Sequence, residues 1–319
     1  MKIFDASDSP KFRPIRKPDH AGNEVVAYLK RHTHRFGHVF VTSDDEADVI
    51  FTNDIFPEDY RGKFLVKRMD GVFYRKDNMF RNRELNAAAE QANHVIFISE
   101  YSRNSFFNLY PGAIVESSSV VCNEVDPEDY YMTGRSCAEL IEVVAAAADW
   151  SRKEKRFSSL CMLAEMEPKI KFKVIGYFPF SGRDYDVWIP HNVESVGFMK
   201  NPKEISNVLR NSDAMVSLFY KDSYPKTMVQ GIYSGLPVLY AASGGQVEMP
   251  VTGVSVRDNE TYQFDCCVPA IKYDDLEDAW KEFKANFSAL RKGARMFDGS
   301  VRFELMLSRY FGAMKNGVA

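Results

Sequence analysis

Residues 222–248, "DSYPKTMVQGIYSGLPVLYAASGGQVE", hold the side chains and turns best suited to binding chemistry. Pro225 suits a first helical turn, Asp222 or Ser223 is available as its cap, and Gly235 marks its end. Met228 with Ile232 and Val229 with Tyr233 stand four apart on a packing side, while Lys226 and Gln230 form a second such pair elsewhere on the surface. A helix opening presents unpaired N–H groups and the positive end of a dipole, where the cation of Lys226 disfavours the helix unless a ligand supplies negative charge. The short apolar run that follows ends at "SGG", whose successive N–H groups can line an anion-binding concavity. Two such sites around one strand suit a diphosphate. The same helix-Gly-strand-Gly-Gly pattern is also ordinary connective chemistry in α/β sheets, with Lys226 merely solvated.

The elements that must position these groups follow from the apolar runs. "HVFV" 38–41, "DVIF" 48–51, "KFLVK" 63–67, "HVIFIS" 94–99, "KFKVIGYF" 171–178, "AMVSLF" 214–219, "LPVLYA" 236–241 and "GVSV" 253–256 are almost continuously apolar. They alternate with helical patterns, the signature of parallel strands covered on both faces. Helices are expected over "GNEVVAYLKRHTHRFGH", opening at Gly22 and Asn23 and stopping at Gly37, over "RNRELNAAAEQAN", and over "KEKRFSSLCMLAEME", where Phe157, Leu160 and Leu163/Ala164 form one stripe. "VRFELMLSRYFGAM" places Phe303, Leu307 and Tyr310/Phe311 in register for a closing helix. The polar interval 116–136, with Asp-Pro and Gly, is the best boundary between domains.

The chain has 319 residues, 45% hydrophobic and 27% charged, with a net charge of −3, enough for two core-forming domains and unlike a disordered protein. Its start, "MKIFDASDSPKFRPIRKPDH", meets Asp, Lys and Pro too early for a secretory signal, and no stretch approaches the roughly 18–20 apolar residues of a spanning helix. A cytoplasmic protein, peripheral to a membrane at most, is expected. Cys122, Cys137, Cys161 and the adjacent pair Cys266 and Cys267 are odd in number and lack metal-ligand spacing, which suits reduced thiols. His34 and His38 stand four apart without the HExxH pattern, so no metal site is expected.

Asp222, Pro225, Gln230-Gly231, "GLPV" 235–238, Gly244-Gly245 and Glu248 together resemble, without gaps, the donor-site signature of retaining glycosyltransferases of the family 4 type. Weaker agreements extend over most of the chain: the glycine-opened first helix, "NHVIFISEYSR" 93–103 as a strand and turn, "VVCNEVD" 120–126 as a linker, and "DWSRKEKRF" 149–157 as the start of a donor domain. The resemblance implies the GT-B fold, an α/β architecture of two Rossmann-like doubly wound domains facing a central cleft. It places an acceptor-side domain over 1–135, a nucleotide-sugar domain over 136–297, and a helix over 298–319 returning to the first domain.

It further implies retaining, metal-independent transfer from a UDP- or GDP-sugar to a hydroxyl acceptor, with no bound cofactor. Asp222 falls on the position near the sugar hydroxyls, Gln230 on the position holding the ribose hydroxyls, and Lys155 on the basic residue facing the diphosphate. Tyr224, Pro225, Lys226 and Thr227, at the helix opening, join the donor-binding set. Gly22 and Asn23 match the loop that meets the donor phosphates, and Phe198 and Met199 lie where the base is held. Two departures stand out. Gln230 replaces a glutamate and loses charge-assisted hydrogen bonding. Asp149 stands where the family has an arginine, so Arg152 or Arg156 must supply the second cation. These departures motivate an alternative, a degenerate relative that binds nucleotide or glycan without turnover. An epimerase or phosphorylase using a nucleotide diphosphate is a third option.

On the acceptor side, residues 61–83 hold eight Lys/Arg against Asp70 and Asp77, whereas residues 43–59 hold seven Asp/Glu and no Lys/Arg. Phe73, Tyr74 and Phe80 interleave with the cations. The stretch could seat a glycan, an anionic lipid-linked sugar at a membrane surface, or a modified DNA base. Equally, it could be a solvated face paired with its acidic neighbour. Asp70, directly after a strand, is the candidate contact to an acceptor hydroxyl or a turn cap.

Overall fold

The structure, a computed structural model, describes residues 1–10, 21–57, 60, 62–74, 78–133, 139–178, 188–258 and 268–315, with the backbone alone over 21–23. The chain divides into two compact units, one running from Met1 to Glu124 and resuming at Val301, the other from Val125 to Ser300. The polar interval 116–136 contains this division. Each unit, among the described residues, is built on a six-stranded parallel sheet.

The first unit comprises β1 (Lys2–Asp5), α1 (Ala21–His32), β2 (Val39–Phe40), β3 (Val49–Thr52), β4 (Phe64–Met69), α2 (Arg81–Gln91), β5 (His94–Phe97), α3 (Glu100–Leu109) and β6 (Ser118–Val120). Its strand order is β2-β1-β3-β4-β5-β6. The second unit holds β7 (Glu142–Asp149), α4 (Phe157–Met166), β8 (Lys171–Tyr177), β9 (Val193–Gly197), α5 (Pro202–Arg210), β10 (Ala214–Ser217), α6 (Lys226–Tyr233), β11 (Val238–Ala241), β12 (Gly253–Val256), α7 (Tyr273–Ala285) and α8 (Phe287–Ala294). Its order is β12-β11-β10-β7-β8-β9, a doubly wound sheet whose direction of winding reverses between β7 and β10. Helix α9 (Gly299–Lys315) closes the described chain.

The apolar runs all become strands, and the inner strands seed the cores. In the second unit Val143, Ala145, Ala147, Val174, Val216 and Leu239 pack with Leu160, Leu163, Trp280 and Phe283 from helices. In the first, Phe303, Leu307, Tyr310 and Phe311 of α9 join Val25 and Leu29 of α1 with Val49 and Phe51 of β3. A second cluster, including Ile50, Val95 and Phe97, packs against Leu85, Ala88 and Phe106. These layers are the standard solution for sheets apolar on both faces.

Four departures from the sequence reading have physical causes. "EVVAAAAD", absent from the expected strands, forms β7, because between β8 and β10 it is buried on both faces and small side chains let the covering layers approach. The expected helix from Lys153 begins at Phe157, since Lys153–Lys155 form a 3-10 turn and Arg156 adopts φ +51. The turn expected in "FISEYSR" opens α3 instead: Ser99 Oγ accepts from the Ser102 N–H at 2.9 Å and Ser102 Oγ from the Ser99 N–H at 3.2 Å, a reciprocal cap. Finally, Pro225 precedes α6 as its cap residue, and neither Asp222 nor Ser223 caps it.

Candidate functional site

The loops that follow β7 and β10 leave the carboxyl ends of the two strands at which the second sheet reverses, the place where doubly wound sheets bind ligands. The first loop carries Lys155 and the second Asp222. Lys155 Nζ donates to Asp222 Oδ2 at 2.7 Å, with the two side chains 11% and 23% exposed. The ammonium also lies 3.9 Å from the centroid of the Phe219 ring. A cation and a carboxylate 67 residues apart in sequence thus form one charged pair at the switch point.

The glycine pair is spent on holding this turn. Gly245 N–H donates to the Asp222 carbonyl at 2.8 Å, so one of the two glycine N–H groups expected to line an anion-binding concavity is engaged by the chain's own backbone. Gly244 has φ +64, and a Cβ there would stand 2.3 Å from the Asp222 oxygen, a distance no side chain tolerates. Lys221, itself at φ +52, donates its N–H to Ser243 Oγ at 2.9 Å. Gln246, fully buried, completes the lock. Its Oε1 accepts from Ser217 Oγ at 2.7 Å, and its Nε2 donates to the Phe219 carbonyl at 2.8 Å. Ser243 and Gln246 carry no local signal, because Lys221, Ser217 and Phe219, which they hold, lie in β10 and the loop after it, more than twenty residues upstream.

Other donor-side candidates divide by environment. Gln230 is buried on α6, where its Nε2 donates to Tyr130 Oη at 2.8 Å. Tyr224 and Pro225 are buried, and Lys226 and Thr227 are half-buried at the helix opening. Arg156 is withdrawn from the site: it is buried, and its Nη1 and Nη2 donate to the two carboxylate oxygens of Asp258 at 2.6 and 2.9 Å. Of the two arginines considered for the second cation, Arg152 alone stays exposed, with its Nε donating to Glu154 at 2.8 Å. Phe198 is exposed and Met199 half-buried, both following the edge strand β9. Gly22 and Asn23 lie in the first turn of α1. Glu248 ends the 3-10 turn that Gly244 begins.

The basic stretch of the first unit resolves differently. Lys67 and Arg68, which the sequence offered as part of a cationic surface, are fully buried on β4. Arg68 donates through Nε to Tyr310 Oη at 2.9 Å and through Nη2 to Asn123 Oδ1 at 2.7 Å, and its Nη1 pairs closely with Asp70. Burial opposes the guanidinium charge, but the Asp70 carboxylate and the Tyr310 oxygen outweigh it and push the pKa up. Asp70 therefore serves as the counter-ion of a buried arginine, neither a simple turn cap nor an open carboxylate. Lys63 Nζ donates to the carbonyls of Asp45 and Ala47 at 2.9 and 2.7 Å, joining the basic stretch to its acidic neighbour through backbone. Tyr74 Oη donates to Ser105 Oγ at 2.7 Å. Arg61, Arg75, Lys76 and Asp77 fall outside the described residues, as do Cys137, Cys266 and Cys267.

Cys161 is a buried thiol pushed up to about 12 by desolvation and Glu165. Among the described residues no group of three or more His, Cys, Asp or Glu side chains is placed to hold a metal ion, and no helix is long and apolar enough to cross a membrane.

No protein-family model matches the chain, and no curated protein matches it in sequence. Solved structures match it in fold. The Anabaena protein Alr3699/HepE, in complex with UDP-glucose, is 16% identical with a TM-score of 0.67, over 98% of this chain and all of that one. A glycosyltransferase from Rickettsia africae is 12% identical with a TM-score of 0.67, over 99% and 98%. WaaG, a glycosyltransferase involved in lipopolysaccharide biosynthesis, is 14% identical with a TM-score of 0.59, over 92% and 83%. The two parallel sheets and their covering helices are the GT-B fold of these glycosyltransferases.

Proposed function

We propose that this chain is a retaining glycosyltransferase of the family 4 type, moving a sugar from a UDP- or GDP-sugar to a hydroxyl acceptor without a metal. The observation that carries the reading is the Lys155–Asp222 pair at the switch point of the second sheet. A cation there meets the diphosphate, a carboxylate beside it accepts from sugar hydroxyls, and the fold is one in which a UDP-glucose complex is known for HepE. Fold alone does not assign function, so the residues must carry the argument.

Breaking the bond between the anomeric carbon and the phosphate oxygen drives negative charge onto the departing diphosphate. Lys155, with Arg152 as second cation, stabilises that charge more than it stabilises the bound donor, which lowers the barrier. The acceptor oxygen bonds to the anomeric carbon on the face the phosphate leaves, and the acceptor proton passes to the departing phosphate oxygen. No separate base is required. Gln230, whose Nε2 donates to Tyr130 Oη, is the residue assigned to the ribose hydroxyls. The acceptor is a glycan or another hydroxyl compound.

Thermal stabilisation by UDP-, GDP-, ADP- and dTDP-sugars, followed by assay of released nucleoside diphosphate, tests the reading. A nucleotide at about 100 times its Kd adds roughly 2.7 kcal/mol of stability. One nucleotide is expected to stand out and to lose its effect in Lys155→Ala. No shift with any of them would overturn the proposal. A shift without nucleotide release, with or without hydroxyl acceptors, would reduce the protein to a nucleotide-binding relative.

A further inference from the structure

We infer that the outer face of the helical layer formed by α1 and α9 docks on a bilayer surface of anionic phospholipid. The inference stands apart from the donor-site reading and concerns the first unit alone. The two helices lie side by side: Phe303 of α9 meets Tyr28 and His32 of α1 with ring centroids 5.8 and 5.3 Å apart, and Phe311 meets Phe36, in the turn after α1, at 4.8 Å. Their inner sides join the core over β1 and β3. Arg31, Arg35, Val301, Leu305, Arg309 and Lys315 stay exposed on the other side.

The fold does not account for the character of this face. Residues 21–36 and 299–315 carry six Lys/Arg against Glu24 and Glu304, in a chain whose net charge is −3. The rest of the molecule is therefore acidic, and the resulting field turns this layer toward a negative surface. Compensation of helix dipoles explains Lys30, Arg31 and Lys315, which fall in last turns, and Lys30 is also held by Asp5 and Asp8 at 2.9 Å each. Neither reason covers Arg309, one turn beyond Leu305. Val301 and Leu305, themselves one turn apart, are 66% and 47% exposed although every other aliphatic or aromatic side chain of α9 larger than alanine is buried. Aliphatic side chains set among cations on one outer stripe suit a helix lying in a membrane interface, where the cations meet headgroup phosphates and the aliphatics reach the acyl boundary. Nucleic acid suits the face less well, because Tyr28, Phe303, Tyr310 and Phe311 all point inward and none is left to stack on a base. The stretch 61–83 offers no equivalent, since its Lys67 and Arg68 are buried.

Co-sedimentation of the full chain with vesicles tests this, using phosphatidylcholine alone and an equal mixture of phosphatidylcholine and phosphatidylglycerol. The wild type should bind the mixed vesicles about tenfold or more tightly, and should lose most of that preference between about 0.1 and 1 M salt, where the screening length falls from about 10 to 3 Å. Arg309→Gln with Lys315→Gln should weaken binding to the mixed vesicles about tenfold. Val301→Ser with Leu305→Ser should weaken it about threefold or more. All four positions are exposed, so melting temperatures should stay near that of the wild type and the variants report on the face, not on the fold. Equal sedimentation with both kinds of vesicle, none with either, or wild-type affinity in either double variant would overturn the inference. Retention of a DNA duplex without vesicle binding would also overturn it and assign the face to nucleic acid.

Discussion

The loops after β7 and β10, which carry Lys155 and Asp222, and the stretch at 61–83 both set a cation and a carboxylate beside a strand end, yet the fold treats them in opposite ways. At the first, Lys155 and Asp222 keep a partly exposed pair on locked backbone at the switch point. At the second, Arg68 of β4 and Asp70 just past its end also pair, but beneath α9, with Tyr310 and Asn123 completing the buried shell. An exposed pair can exchange a partner for a ligand at little cost, whereas a buried pair cannot lose one without leaving an uncompensated charge. The comparison teaches that the same residue types form a partly open pair or a buried staple according to which strands bear them.

Removing one half of each pair should sharpen the contrast. Arg68→Met is expected to destabilise the first unit by about 3–5 kcal/mol, because Asp70 then remains charged and buried. Urea unfolding would measure the loss. A change below about 1 kcal/mol, the range of an exposed pair, would erase the distinction.

Gly244→Ala should come next. Left-handed backbone costs an L residue about 1–2 kcal/mol, and contact with the Asp222 carbonyl adds to it. Gly37→Ala is the control, since Gly37 has φ +68 but nothing within 4 Å of an added Cβ. The excess loss in Gly244→Ala over Gly37→Ala isolates the close approach, and nucleotide binding should fall in Gly244→Ala alone. Equal losses would mean that the turn tolerates a side chain.

The smallest effect lies at His94, where the first sheet buries a titratable group with neutral partners. Its ring sits between Ser117 Oγ at 3.0 Å and Ser119 Oγ at 2.8 Å, and burial holds its pKa below the usual histidine value. The folded state therefore resists protonation relative to the unfolded chain. The resulting stability is present above the unfolded pKa of about 6.5 and is lost as pH falls below it. Melting temperatures between pH 7.5 and 5 should decline less steeply in His94→Gln than in the wild type. An unchanged slope would remove His94 from the acid response.

Much of this architecture was legible in the amino-acid sequence because strand burial on both faces and helix amphipathicity are local patterns. The run from "HVFV" to "GVSV" marks strands of both sheets, and the spacing of Phe303, Leu307, Tyr310 and Phe311 marks α9. Pro225 and Gly235 bracket α6 to within a residue or two. Alanine-rich β7 escaped that logic, since its strand state is imposed by neighbours on both sides and not by propensity.

By itself, then, the sequence determined the α/β class, the positions of most strands, and the two glycine-marked turns around β11, because each follows from side-chain size, polarity and backbone freedom within a few residues. Tertiary structure alone decided which polar side chains serve as partners. Lys155 meets Asp222, Arg156 turns to Asp258, Gln230 to Tyr130, and Arg68 to Tyr310, each across more than sixty residues of chain. The reason is that a charged side chain binds whatever the sheet order brings within about 3 Å of it, and strand order is set by long-range packing that no local pattern encodes.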